Sequence, residues 1–256
     1  MMKKNLLIIV CLFIYSQTQA QNTHFTTVGS IEFEKTINMF AMIKKQINKN
    51  NESYMQQAFD QYKKTQPQFK KLKSTLYFSN DKTMFKPDAE DGTQGGFFSG
   101  AQSTQNNIIR TDLGTGTFID QKKVFEETFL VKDSIRKINW KVTDETRDIA
   151  GYTCRRANAI VLDSIYVVAF YTDEIAVSGG PESFAGLPGM ILGVALPHEN
   201  ITWFATKVNE VTVDSKNFNP PTKGKPVNNK QLRTTLQAAL KDWGDYAKES
   251  FKALLL

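Results

Sequence analysis

Between Ile108 and Val213 the sequence is a succession of short apolar–polar alternations separated by polar turns, the pattern of a meandering antiparallel sheet. Turn signals fall at Asp112–Gly116, Lys132–Ser134 and Leu162–Ser164. Ile138, Trp140 and Val142 alternate with Lys137, Asn139 and Lys141, which predicts a strand with one wet face. Ile165 to Tyr171 is almost continuously apolar, so that strand should be covered on both faces.

Elements on either side extend this sheet and cover it. Gly29 to Lys35 alternates with period two and predicts a first strand. From Ile37 to Gln66 the apolar residues recur at three- and four-residue steps, a helical stretch broken near Asn48–Asn51 and stopped by Pro67. Leu72, Leu76 and Phe78 return to period two and, with a turn at Asn80–Lys82 before Met84 and Phe85, predict a hairpin. Pro87 to Asn107, rich in Gly, Gln, Ser and Asn, reads as a mobile surface loop that Phe97 and Phe98 could tack down. After Pro220, Pro221 and Pro226, a helix over about 230–254 carries Leu232, Leu236, Leu240, Phe251 and Leu254 on one stripe, with Asn228 or Asn229 as its cap. That helix is the expected cover for Ile165–Tyr171. The fold class is therefore α+β: a curved, largely antiparallel, open half-barrel-like sheet with N-terminal and C-terminal helices packed on it.

Residues 1–20 read as a secretory leader, with Lys3 and Lys4 before an apolar run from Leu6 to Tyr15 and a small residue, Ala20, at the cleavage point. That run is about half of the roughly 20 residues a membrane span needs, so no stable span is expected after cleavage. Residues 21–256 form a single domain, exported to the periplasm or cell surface. Cys154 is then the only cysteine left, and no intramolecular disulfide is available. The formal net charge of +6 is modest and its Lys and Arg are not clustered, which excludes a nucleic-acid partner.

The stretch Gly186-Leu187-Pro188-Gly189-Met190-Ile191-Leu192 resembles the motif that names the GLPGLI family of exported bacterial proteins, with Met190 where leucine is usual. Trp140–Thr143, Ile149–Ala157, Ala169–Ile175 and Gly180-Pro181 follow the family pattern in order and spacing, and Ile31–Lys35 fits its first strand. Phe170, Ala176 and Gly193 depart from it, standing where tryptophan, proline and an acidic residue are common. The resemblance implies an exported envelope protein of a family with no agreed biochemical activity.

Chemistry-bearing residues are sparse. Cys154 lies in a strand pattern with no adjacent helix N-terminus and reads as a buried apolar side chain rather than a nucleophile. One cysteine and the distant His24 and His198 give no metal-ligand spacing, and Asp163, Asp173, Glu174, Glu182 and Glu199 form no recognisable acid–base motif. No nucleophile elbow, P-loop or dinucleotide fingerprint occurs, so no catalytic residue, metal or cofactor is assigned. The expected function is non-enzymatic binding of an apolar small molecule or an envelope protein near Gly186–Gly193, with Phe184, Leu187, Trp203 and Glu174 around the ligand. The alternatives are a hydrolase or transferase using Glu174 or Asp173 beside Arg155, and a structural subunit of a surface assembly.

Overall fold

The computed structural model describes residues 25–88, 98, 100, 103 and 107–256, with 245 and 246 by backbone alone. The expected leader, Phe97 and most of the Pro87–Asn107 loop lie outside the described residues. Phe98 is described and meets Tyr62 edge-on at 5.5 Å.

The chain begins with β1 (Val28–Asn38), then α1 (Met39–Gln46), α2 (Glu52–Thr65), β2 (Phe69–Ser79) and β3 (Lys82–Pro87). Next come β4 (Ile108–Asp112), β5 (Thr117–Val124), β6 (Glu127–Ser134), β7 (Lys141–Ile149), β8 (Tyr152–Val161) and β9 (Ile165–Thr172). A long connection leads to β10 (Met190–Leu196), and a 3₁₀ turn, Pro197–Glu199, to β11 (Ile201–Asn209). A short β12 (Lys225–Val227) precedes α3 (Asn229–Leu240) and α4 (Asp245–Leu255). The strands form one open sheet in the order β12-β6-β5-β4-β3-β2-β1-β11-β10-β9-β8-β7. Every pairing is antiparallel except β12 with β6. The α+β class and the open antiparallel sheet thus hold. Bulges at Glu32/Phe33 and Ile191/Gly193 interrupt the central ladders, where an extra residue bends the strand and increases its twist.

Inward phase follows the sequence. Ile31, Phe33 and Ile37 of β1 lie opposite Val208, Ala205 and Ile201 of β11 and join the main core with Leu76 and Phe78 of β2. Met42 and Ile43 of α1 and Phe59 of α2 pack onto the same core. Asn38 caps α1 by accepting from Ala41 N at 3.1 Å, and buried Asn51 closes the break between the helices by donating to Gln46 O. A second, smaller cluster joins Val124, Phe129 and Val131 of β5 and β6 to Leu232, Leu236, Leu254 and Leu255. No helix of the described residues is long and apolar enough to cross a membrane.

The sequence-based expectations need correcting at several points. β1 runs on to Asn38, so Ile37 is its last inward residue rather than the first of a helix. Residues 135–140 pair with no strand, and Val142 is 43% exposed: Ile138 and Trp140 pack against the main core while Lys137 and Asn139 face solvent, so the alternation is present without a ladder. Lys132–Ser134 lies within β6, and the hairpin turns instead at Phe125, in left-handed backbone. The final helix is two helices, parted at Lys241–Gly244, and they cover β5 and β6 rather than β9. One face of β9 belongs to the main core. On the other, Tyr166 meets His198 of the 3₁₀ turn and Phe170 meets Phe204, whose ring lies 4.6 Å from the Arg147 guanidinium.

Candidate functional site

The connection from β9 to β10 folds back across the sheet. Thr26 bridges to Ile175, Met190 N donates to Ile175 O, and Ile191 N donates to Gly179 O at 2.8 Å. Trp140 Nε1 donates to Ala185 O at 3.0 Å and Ser178 Oγ to Leu187 O at 2.6 Å. Within Gly186–Ile191, Gly189 has φ +144, and a β-carbon there would overlap Thr172 O, so the motif is one that lets two chains touch. Gly179 sits against Thr83 of β3, four places away from β10 in the sheet. The connection therefore spans the inner face and delivers Glu182, Ser183 and Phe184 to its centre.

There it closes a cavity of about 60 Å³, room for roughly four waters. Its floor is Trp203 and Ile201 of β11, with Phe184 edge-on to Trp203 at 6.2 Å. Its rim carries Lys35 of β1, Lys122 and Lys123 of β5 and Lys252 of α4, with Glu182, Glu199 and Asn107. Lys35 Nζ lies 4.9 Å from the Trp203 ring, a cation over an aromatic face. Trp203 is 3% exposed, and its Nε1 has no hydrogen-bond partner among the described residues. Glu199, 6% exposed, lies 3.5 Å from Lys45 Nζ and 3.7 Å from Lys252 Nζ, yet its Oε2 accepts no hydrogen bond among the described residues. Glu182 accepts from Asn107 Nδ2 at 2.9 Å.

Beneath the rim lies a buried charge cluster. Lys122 Nζ is 3.3 Å from Asp120 and donates to Leu254 O at 3.2 Å. Burial pushes the Asp120 carboxyl above its usual range, opposed by Lys122 and reinforced by Glu182. Arg136 Nη2 donates to Leu255 O at 2.6 Å, and burial lowers its guanidinium pKa. Ser183 Oγ donates to Leu256 O at 2.8 Å. The arrangement offers an N–H donor, carboxylate acceptors, several ammonium groups and two aromatic faces. Such a set suits hydroxyls and an anionic group on a molecule with an apolar side.

Of the residues expected around a ligand, Phe184 and Trp203 line this cavity. Leu187 is buried in the main core, and Glu174 is exposed beside the Thr26 bridge. Asp173 and Arg155 are exposed, and with Glu174 they line neither of the two cavities described. The lining is mixed, not apolar. Cys154 is fully buried in β8, and its thiol is pushed up to about 12 by burial first and then by Glu174 and Asp148. Among the described residues no group of His, Cys, Asp and Glu could hold a metal ion. Sequence reasoning missed Lys35 and Lys122. Both sit in the inward phase of their strands, Lys35 with Ile31, Phe33 and Ile37, and Lys122 with Val124; a lysine interrupting an apolar phase was the available signal.

Sheet, crossing connection and cavity define an open-sheet α+β domain with a polar, aromatic-floored cavity on its inner face. The chain belongs to the family described as the N-glycanase peptide, N-terminal domain, whose model matches residues 104–232. That match takes in Lys122, Glu182, Phe184, Glu199 and Trp203; Lys35 and α4 lie outside it. Two solved structures of PNGF-II, in space groups C2 and P21, share the fold with TM-scores of 0.52 and 0.51 at 15% identity. They cover 81% and 82% of this chain, which spans only 32% and 33% of theirs. No curated protein matches the chain.

Proposed function

We propose that this protein is an exported, non-catalytic binding domain that holds a saccharide bearing an anionic substituent in the Trp203 cavity. The observation that carries the reading is the buried, unpartnered Trp203 Nε1 at a cavity ringed by Lys35, Lys122, Lys123 and Lys252. A sugar hydroxyl or carboxylate accepts from the indole N–H, its apolar ring face lies on aromatic carbon, and the ammonium groups take its charge. Membership of an N-glycanase N-terminal domain family supports a glycan as the ligand class. The Gly186–Ile191 stretch makes the protein, in the same proposal, a relative of the exported GLPGLI proteins working in the cell envelope.

The test is binding to immobilised oligosaccharides, neutral and carboxylated, by the intact chain and by Trp203→Phe, which keeps an aromatic ring but removes the N–H. Carboxylated glycans should be retained, and the variant should bind about ten-fold more weakly, the worth of one hydrogen bond. Equal binding by both proteins, or retention of no glycan, rejects the proposal. Export is checked separately: protein recovered from the envelope should begin at Gln21.

A further inference from the structure

One wall of the cavity differs in kind from the others. β1, β5 and β11 are held by ladder bonds on both sides, and the Glu182–Phe184 stretch by the pinned crossing connection. The fourth wall is Lys252, Ala253, Leu254 and Leu256. Besides the Lys252–Glu199 ion pair, its polar anchorage is through main-chain oxygens: Leu254 O to Lys122, Leu255 O to Arg136 and Leu256 O to Ser183. A neutral carbonyl accepts a good hydrogen bond from a buried cation but brings no opposite charge, which a carboxylate would add. The cluster shows the shortfall: among the described residues, Arg136 Nη1 has no hydrogen-bond partner. The segment also has a joint. The chain breaks at Lys241–Gly244, Gly244 adopts φ +57, and α4 starts there with no side-chain cap. Apart from its leucines, α4 is fastened by Glu249 and Lys252 to Lys45 and Glu199.

We propose that Lys252–Leu256 is a displaceable plug, an internal stand-in that a ligand's anionic group replaces on Lys122 and Arg136. This inference rests on the Trp203 cavity being a ligand site, and it answers a difficulty in that reading. The cavity is partly open to solvent but admits roughly four waters rather than a sugar ring, and withdrawal of this wall about the Lys241–Gly244 joint supplies the missing space. Leu254 and Leu255, buried against Val124, Phe129 and Val131, set how firmly the plug is seated. The charged groups beneath set what replaces it.

Two measurements separate the plug from the ligand reading. Hydrogen exchange on the unaltered full chain, without ligand, should show amides of 245–256 exchanging at least about a hundred-fold faster than those of β1 and β11, through local opening. Protection equal to that of the strands would make α4 part of the rigid core and overturn the plug. In the second, N-acetylneuraminic acid, a carboxylated monosaccharide, is titrated calorimetrically into the full chain, Leu255→Ala and Ser183→Ala. Each variant loosens the plug without adding a charge, and each should bind the probe about ten-fold more tightly, because less of the protein is held in the closed state. Equal or weaker binding by both variants also overturns the plug. If no form binds the probe, the ligand reading falls for that sugar, and hydrogen exchange alone decides whether the segment opens.

Discussion

At Gly189 the backbone has φ +144 and an added β-carbon would overlap Thr172 O, so any side chain is both strained and obstructed. Gly189→Ala should therefore cost about 3 kcal/mol or more, read as a fall in the urea midpoint or as loss of soluble protein. Cys154 makes the opposite kind of prediction. A fully buried thiol with its pKa pushed up to about 12 should resist iodoacetamide at pH 8 in the native protein and react once urea unfolds it. Labelling of folded protein would show that β8 opens locally. Asp133 accepts from Asn229 N at 2.9 Å, at the start of α3, and from Ser134 N, and these backbone bonds lower its pKa. A depressed carboxylate pKa means stability that is fully present above the unfolded value and lost as pH falls through the folded one. Asp133→Asn should thus cost about 1 kcal/mol at pH 7, and the difference should fade below about pH 4, where the unfolded carboxyl also protonates.

Among the elements, α3 is the best specified by local sequence and yet depends on distant strands. Asn228 and Gln231 form a capping box, with Asn228 Oδ1 accepting from Gln231 N at 2.8 Å and Gln231 Oε1 from Asn228 N at 2.9 Å. Leu232, Leu236 and Leu240 are its buried stripe, and Leu236 is fully buried against the β5–β6 cluster. Leu236→Ala should cost about 2–5 kcal/mol, with hydrogen exchange accelerated in β5, β6 and α4 more than in β1 and β11. Uniform acceleration over all strands would show that the two apolar clusters unfold as one. β7 shows the reverse dependence. The alternation read over Lys137–Val142 lies mostly ahead of it, and it is an edge strand whose charged side chains, Lys141, Asp144, Glu145, Arg147 and Asp148, leave it exposed over most of its length.

For the whole molecule, the crossing connection between β9 and β10 reaches across the inner face as far as β3, and Phe184 is where it meets both cavities. Phe184→Ala should cost about 3–5 kcal/mol, and urea unfolding followed by tryptophan fluorescence and far-ultraviolet dichroism should still give coincident transitions. Separate transitions would mean that the two halves of the sheet are stable independently. β1, β9 and β10, the β2–β3 hairpin, the break near Asn51 and a cap at Asn228 or Asn229 were legible, because periodicity, turn residues and caps act between residues a few positions apart. Phe184 and Trp203 were legible as aromatic residues near a specified turn. Lys35, Lys122 and Lys252 were not assembled, because β1, β5 and α4 are far apart in sequence and only sheet order and the fold-back of the connection bring them together. For the same reason α4 could not be placed on β5 and β6: its stripe says that it must be buried, but not against which apolar face. By itself the sequence determined the α+β class, the inward phase of β1 and β2 and a glycine–proline corner, all set by local backbone and side-chain geometry. Tertiary structure alone decided that this corner crosses the sheet and that buried lysines converge over Trp203, because such contacts are fixed by packing between distant segments.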